Sequence, residues 1–231
     1  MNVFDRSIQI YLIDTLPSSG VFAHAVGVIA EFSLFKGLLP LAVLWAMWFK
    51  PGKALLHRRE MIVATLSAAL LSFVVGRLPA FLLPFRLRPV YDASLHLAFP
   101  LASQAGNHLR LWSSFPSDHA ALWMSIALGI LLVCRWIGIL AILHFLMFIC
   151  LPRIYLGLHY PTDVFAGAVI GATLVTLLTR VPLRRRYAPC VVRFMERRPA
   201  VGYMLAFLFF FELATMFDEP RVLALSLVKL L

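Results

Sequence analysis

The polar stretches FPSDH, at residues 115–119, and RIYLGLHYPTD, at residues 153–163, each stand at the end of a long apolar run. They gather histidine, arginine and aspartate side chains where the surrounding sequence is almost entirely apolar. Ionisable side chains are costly at the edge of a bilayer, so residues of this kind indicate a functional site. The rest of the chain decides whether the two stretches can meet.

The composition is that of a membrane protein that crosses the bilayer several times. Of the 231 residues, 61% are hydrophobic and 14% are charged, whereas a soluble domain has about 45–50% apolar and about 25% charged residues. The length fits one helical bundle, residues 1–231, rather than two domains. The three cysteines are widely spaced and lie in or beside apolar runs, which argues against a disulfide framework or a zinc site.

Six apolar runs predict an all-α bundle of about six transmembrane helices, because about 17–25 residues cross a bilayer. Their approximate bounds are residues 22–49, 61–84, 118–134, 136–152, 163–179 and 201–217. In the fifth run, Gly167 and Gly171 form a small-xxx-small pattern, which lets a helix approach its neighbour closely.

Positive charge is concentrated on one side of these predicted spans. The loop after the first run, the turn after the third and the segment after the fifth contain 12 of the 21 lysines and arginines. By the positive-inside rule this side is cytoplasmic, so both polar stretches and the loop 85–117 fall on the opposite face. Membrane topology thus explains the net charge of +10, and no nucleic-acid partner is needed.

The terminal segments are predicted to lie at the membrane surface. Residues 1–20 predict an interfacial helix, residues 181–200 a basic cytoplasmic loop, and residues 201–231 a last span with an interfacial tail. The apolar face of the N-terminal helix would consist of Val3, Phe4, Ser7, Ile8, Tyr11 and Leu12, opposite Asp5, Arg6, Gln9 and Asp14.

Ser117 is positioned to cap the helix that the third run predicts. Its hydroxyl can accept an N–H from the first turn, and the remaining free N–H groups form an anion site with the helix dipole behind them. His119 then stands at the rim of that site, where a side chain that titrates near neutral pH suits proton transfer. A capped helix with a histidine in its first turn is also common in proteins without such a role.

The second stretch predicts a loop followed by a helix start. Pro161 favours a helix that begins at once, which leaves His159 in the loop and puts Asp163 in the first turn. A carboxylate there can accept the imidazole N–H and raise the basicity of the other ring nitrogen, as a nucleophilic histidine requires. Arg153, before the loop, can offer a planar fork of donors to phosphate oxygens.

A third group, Arg86-Leu87-Arg88-Pro89, leaves the second predicted span on the same face. Its two guanidinium groups could bind the same anion, although arginines at helix ends also serve as interfacial anchors.

Together the three blocks resemble the signature of the type 2 phosphatidic acid phosphatase (PAP2) superfamily, membrane lipid phosphatases related to vanadium haloperoxidases. That signature is a lysine separated by six residues from Arg-Pro, then Pro-Ser-Gly-His, then Ser-Arg with a histidine six residues after the arginine and an aspartate four later. The resemblance covers about residues 60–180, which would form the catalytic core with the haloperoxidase-like helical fold. The matching residues are Arg88, Pro89, Pro116, Ser117, His119, Arg153, His159 and Asp163.

The resemblance implies phosphoryl transfer without a metal or cofactor. His159 would attack phosphorus and carry a phosphohistidine, with Asp163 orienting it, and His119 would protonate the leaving oxygen. In such a reaction, positioning and charge neutralisation supply most of the catalysis. The ligands of the phosphoryl oxygens would be the amides near His119 together with Arg88, Arg153 and Ser117.

The sequence departs from the signature at three positions: Phe81 stands where the lysine should be, Asp118 replaces the glycine, and Pro152 replaces the serine. Arg77 lies four residues before Phe81, on the same helical face, and could reach the site in compensation. Alternatively, Arg77 pairs with Glu31, for which Lys36 is a competing partner. Arg86 fits the frequent Arg-x-Arg-Pro form and could contact phosphate or a lipid head group.

The Pro-Ser-Asp-His variant, followed by Arg-(five residues)-His-Tyr-Pro-x-Asp-Val, is similar to the branch that hydrolyses undecaprenyl diphosphate. We therefore expect a phosphatase of a bacterial inner membrane whose partners are the bilayer and a lipid phosphate or diphosphate, with the site facing the periplasm or exterior. The alternatives are a phosphatidic acid or phosphatidylglycerophosphate phosphatase with the same residues, and a non-catalytic lipid-phosphate binder or carrier. Retention of both histidines and Asp163 argues against the binder, because binding alone needs only the cations.

Overall fold

The structure, a computed structural model, describes residues 2–17, 20–102 and 106–218, apart from the side chains of residues 80, 81, 107 and 108. Within these ranges the regular elements are all helical, which confirms the predicted all-α class. The predicted interfacial tail, Arg221 to Leu231, lies outside the described residues.

Ten α-helices and two π-helical turns follow one another along the described chain. The helices before the long loop are α1 (Val3–Thr15), α2 (Gly20–Glu31), α3 (Leu39–Phe49) and α4 (Leu55–Leu82), with a π-helical turn over Leu34–Leu38. Those after it are α5 (Asp118–Val133), α6 (Arg135–His144), α7 (Leu151–Tyr155), α8 (Pro161–Thr179), α9 (Val181–Arg197) and α10 (Pro199–Thr215), with a second π-helical turn over Phe145–Cys150.

The protein is an integral membrane protein, but the count of six spans is not confirmed. Among the described residues, three helical segments are long and apolar enough to cross a bilayer: Leu55–Pro79, Arg135–Tyr155 and Pro161–Thr179. The pair Gly20–Glu31 and Leu34–Phe49 makes a fourth span if it is counted as one, although it is bent by 61°. The apolar helices α5 and α10, of 16 and 17 residues, are shorter than this.

Helix α5 is the centre of the bundle and packs between α4 and α8. Its small and apolar side chains are buried over most of its length, and Ser125 supplies the polar contacts. The hydroxyl of Ser125 lies 2.7 Å from that of Ser72 on α4 and donates to the carbonyl of Gly171 on α8 at 3.0 Å. One side chain thus links the three helices where there is little water to compete.

Two glycines allow α8 to lie directly against α5. A Cβ atom on Gly167 would be 2.2 Å from the carbonyl oxygen of Ser117, and one on Gly171 would be 2.1 Å from that of Ala121. Both obstacles are backbone atoms, so a side chain could not simply turn away. The small-xxx-small prediction is therefore confirmed, with α5 as the neighbouring helix.

The bundle gathers its polar residues at two opposite ends. At one end lie the end of α4, the end of α7 and the starts of α5 and α8, which brings the three sequence blocks together. At the other end lies α9, which is a basic helix over most of the segment predicted as a loop. Arg184 lies 3.4 Å from Glu60, and Arg59 lies 3.0 Å from Glu196, which ties α9 to α4.

We expect Gly167→Ala to lower the thermal stability of the detergent-solubilised protein, because its Cβ would push α8 away from Ser117. Overpacking of this kind costs roughly 1–3 kcal/mol, which lowers the Tm by roughly 2–10 °C in a chain of this size. Gly20→Ala is the matched control, since a Cβ there meets nothing within 4 Å. Equal melting temperatures for the two variants would contradict the close approach of α5 and α8.

Candidate active site

The starts of α5 and α8 are joined directly. The backbone N–H of Ser117 donates to the carbonyl of Asp163 at 3.0 Å, so the two polar stretches share one hydrogen bond. Ser117 caps α5 as predicted, with its hydroxyl 3.4 Å from the N–H of Ala120. Helix α8 begins at Pro161, also as predicted, and its first turn is closed by Asp163, whose carboxylate accepts the N–H of Tyr160 at 2.9 Å.

His159 is held in one tautomer by the loop before α5. Its Nδ1 lies 2.8 Å from the carbonyl oxygen of Ser114, which can only accept, so Nδ1 carries the proton and Nε2 keeps its lone pair. Nε2 faces Nη1 of Arg88 at 3.2 Å. Burial, and after it the positive charge of Arg88, lowers the pKa of His159 to about 4, although Asp163 acts in the opposite direction. The imidazole is therefore neutral at physiological pH.

Asp163 supports His159 mainly through an intermediate residue. Its Oδ2 is 3.8 Å from Nδ1 of His159, beyond a hydrogen bond, while it accepts the hydroxyl hydrogen of Ser114 at 2.5 Å. Ser114 thus contacts the carboxylate with its side chain and the imidazole with its carbonyl. Sequence reasoning expected a direct contact between Asp163 and His159 and missed Ser114, because a carbonyl acceptor leaves no mark in the side-chain pattern.

Two guanidinium groups flank the imidazole with donors that have no acceptor in the described part of the chain. Arg88 and Arg153 are each 6% exposed, and the Nε of each has no hydrogen-bond partner among the described residues. Arg88 does donate through Nη1, to the carbonyl of Leu158 at 2.8 Å. The guanidinium of Arg153 makes no hydrogen bond to any described residue. Buried donors of this kind favour an anion, because an unpaired buried charge is costly.

His119 is oriented by its neighbour Asp118, the residue that replaces the signature glycine. Its Nδ1 donates to Oδ1 of Asp118 at 2.9 Å, which leaves Nε2 for proton transfer. Asp118 is also in ion contact with Nη2 of Arg77 at 2.5 Å, and the Arg77 guanidinium lies 5.0 Å from the centre of the Trp112 ring. Arg77 therefore reaches the site, but it contacts a carboxylate there and does not pair with Glu31.

Arg86 lies at the site, but its guanidinium group already contacts two carboxylates. Its Nη1 donates to Asp163, and its Nη2 lies 2.8 Å from Asp5 on α1. Asp5 is fully buried and also accepts the backbone N–H and the hydroxyl of Thr162, each at 2.8 Å. Sequence reasoning put Asp5 on the outward polar face of an interfacial helix, whereas this face packs against the start of α8.

The remaining expectations concern position 81 and metal binding. The side chain of Phe81, which stands in place of the signature lysine, lies outside the described residues. Across the described ranges, no group of three or more histidine, cysteine or acidic side chains could hold a metal ion. An apolar cleft of about 300 Å³ lies at the other end of the bundle, between α3, α4, α9 and α10. None of the site residues described above lines this cleft.

The PAP2 superfamily profile matches residues 59–187 of this chain. The bacitracin transport permease protein BcrC of Bacillus licheniformis is 31% identical over 144 residues, which cover 62% of this chain and 63% of that protein. The undecaprenyl-diphosphatase BcrC of Bacillus subtilis is 32% identical over 113 residues, 48% of this chain and 54% of that protein. The lipid A 4'-phosphatase of Bacteroides thetaiotaomicron is 48% identical over 61 residues, 25% of this chain and 26% of that protein.

The chain thus matches between 26% and 63% of the length of these three relatives. No solved structure matches it. The profile, however, extends over more than half of the chain and includes all three blocks around the site. The chain therefore belongs to the PAP2 superfamily.

Proposed function

We propose that this protein hydrolyses undecaprenyl diphosphate to undecaprenyl phosphate and inorganic phosphate. The observation that carries the proposal is the buried guanidinium of Arg153, which has no described acceptor and lies in the same cluster as Arg88 and the neutral imidazole of His159. Cations alone would suit any anion, but a neutral histidine with a fixed tautomer also supplies a nucleophile. Phosphoryl transfer is the chemistry that uses both.

In the first step, Nε2 of His159 attacks the terminal phosphorus and the bond from phosphorus to the bridging oxygen breaks. Nη1 of Arg88, which faces Nε2 at 3.2 Å, exchanges the imidazole nitrogen for a phosphoryl oxygen as the substrate enters. Arg153 neutralises the charge on the same phosphoryl group. The carbonyl of Ser114 stabilises the N–H of the positively charged phosphohistidine that results.

His119 manages the protons in both steps. Protonated at Nε2, it gives that proton to the bridging oxygen, so that undecaprenyl phosphate leaves as a stable anion. The neutral imidazole then takes a proton from the water that attacks the phosphohistidine, which releases phosphate and restores His159. The hydrogen bond from Nδ1 to Asp118 at 2.9 Å holds the ring, so that Nε2 is the atom that gives and takes the proton. Ser117 and the first-turn amides of α5 would contact the phosphoryl oxygens.

The choice of substrate rests on the Pro-Ser-Asp-His block and on the undecaprenyl-diphosphatase of Bacillus subtilis among the relatives. A phosphatidic acid or phosphatidylglycerophosphate phosphatase would use the same residues and is the nearest alternative. The positive-inside pattern supports a site on the extracytoplasmic face, in a bacterial inner membrane, where the polyprenyl carrier is released as the diphosphate. The same proposal divides the chain into four parts: an interfacial N-terminal helix, a core over residues 60–180, a basic segment and a last span.

The test is phosphate release by purified protein in detergent with EDTA present, with undecaprenyl diphosphate and phosphatidic acid offered separately at equal concentrations. We expect release from the diphosphate that falls by at least about 10³-fold in His159→Ala, since loss of a nucleophile removes the reaction path. His57→Ala is the matched control, because His57 is exposed near the start of α4, at the end of the bundle opposite the site.

Release from phosphatidic acid alone would move the protein to glycerolipid turnover with the same mechanism. No release from either lipid, by protein that is folded as judged by its thermal transition, would contradict the enzyme and favour the lipid-phosphate binder.

The pKa of His159 makes a second prediction, on the pH dependence of kcat/KM. With a pKa of about 4, the nucleophile stays neutral well below pH 6, where an ordinary histidine with a pKa near 6.5 would be mostly protonated. Activity should therefore have no acid limb near pH 6.5 that arises from His159. Arg88→Gln removes a positive charge that lowers this pKa, so its acid limb should move to higher pH, although not fully because burial is the larger cause.

The comparison is made on the shape of the two pH profiles, not on their height, because Arg88 also binds the substrate. Ionisation of the substrate is common to both profiles and cancels. Superimposable acid limbs for the wild type and Arg88→Gln would contradict the assignment of His159 as the titrating nucleophile.

A further inference from the structure

Lys36 is a charged residue in the middle of an apolar segment, and the reaction described above does not use it. It lies in the π-helical turn Leu34–Leu38, directly after the break in the first apolar segment, and it is partly buried. It forms no hydrogen bond through its side chain and no ion pair with any described residue. A lysine inside a membrane segment needs a partner, and a π-helical turn is frequently found at a functional site.

The turn that carries Lys36 is fixed on both sides. A Cβ on Gly37 would lie 2.2 Å from the Trp123 ring, so the backbone here lies directly against this side chain of α5. On the other side, Nε2 of His144 on α6 donates to the carbonyl of Phe35 at 2.8 Å. Trp123 lies four residues after His119, one turn deeper on the same face of α5. Lys36 is therefore carried by a turn that packs on the residue one helical turn below the proposed proton donor.

The charge of Lys36 belongs to the electrostatic environment of the site. Arg153 and Asp118 both act on Lys36, and Lys36 in turn acts on His119. Glu31 and Asp218 are further carboxylates in its surroundings. Two like charges, on Lys36 and Arg153, thus act on each other and on His119. An anion between or beside them relieves their repulsion.

A lipid diphosphate offers two phosphates in a row, with the bridging oxygen between them. When the terminal phosphate lies at Arg88 and Arg153, the bridging oxygen lies at His119 and the second phosphate lies beyond it, toward the membrane interior and the lipid tail. Trp123, against which the turn of Lys36 packs, lies in this direction from His119 along α5. A monoester has only a carbon chain at the same place.

We infer that Lys36 binds the lipid-side phosphate of a diphosphate substrate, the one that is not transferred, and so makes the site prefer diphosphates to monoesters. The inference rests on the proposed function and names the feature that selects its substrate class. Lys36 is thus a specificity residue and is not a replacement at the transferred phosphoryl group for the lysine missing at position 81.

The test compares Lys36→Gln, Lys36→Arg and Lys53→Gln, with undecaprenyl diphosphate as substrate and inorganic phosphate as a competitive inhibitor. Inorganic phosphate probes only the pocket of the transferred group. Lys36→Gln should lower kcat/KM for the diphosphate roughly 10- to 100-fold, the loss expected for one charged hydrogen bond, and should leave the inhibition constant of phosphate unchanged within about 2-fold. Lys36→Arg should restore most of the activity, and Lys53→Gln, on an exposed turn, should behave as the wild type.

Each other outcome has a definite reading. An unchanged kcat/KM in Lys36→Gln overturns the inference, and so does an equal weakening of diphosphate turnover and phosphate inhibition, because Lys36 would then act on the transferred group. If the Tm of Lys36→Gln is lowered, the ratio of the two effects, measured on the folded fraction, still decides. Failure of the proposed function is read separately, as absence of diphosphate hydrolysis by the wild type.

Discussion

The site depends on the contacts of the Asp163 carboxylate, because they join segments that are far apart in the sequence. It closes the first turn of α8 through the N–H of Tyr160, binds the hydroxyl of Ser114 in the loop before α5, and pairs with Arg86. Through Arg86 it also reaches Asp5 on α1. A fully buried carboxylate is stable only if its oxygens are satisfied, so its partners are fixed in position together with it. The tautomer of His159 follows, since the carbonyl that accepts its Nδ1 proton belongs to Ser114.

The ion contacts at this end of the bundle divide its cations into those that contact a carboxylate and those that contact none. Asp5, Asp118 and Asp163 each form an ion contact with Arg77 or Arg86. Arg88, Arg153 and Lys36 form no ion pair with a described residue, so the site carries an excess of positive charge in surroundings that stabilise charge poorly. A substrate with several negative charges on adjacent phosphates would balance this positive charge better than a carboxylate or a head group with a single charge. Positioning and neutralisation then supply most of what phosphoryl transfer requires.

Much of this arrangement could be predicted from sequence because its signals are local. Proline and serine fixed the helix starts at Pro161 and Asp118, and the spacing of Gly167 and Gly171 predicted the close helix pair. Sequence could not show the partners of Asp5, Ser114 and Arg77, which are set by tertiary contacts or by backbone carbonyls. The π-helical turn at Lys36 has no pattern of its own, so that lysine could only be noted as a charge seeking a partner. Sequence also could not give the number of spans, because it depends on the helix lengths, and α5 and α10 have only 16 and 17 residues.

The most direct test of the central claim is to look for the covalent intermediate. Protein mixed with undecaprenyl diphosphate labelled at the terminal phosphorus is quenched in denaturing base after a single turnover or less, and the labelled residue is identified by mass spectrometry. Our account predicts a label on Nε2 of His159 that is stable in base and lost in acid, as a phosphohistidine is, and no label in His159→Gln. Formation of inorganic phosphate without any labelled protein at early times, or a label on another residue, would contradict it.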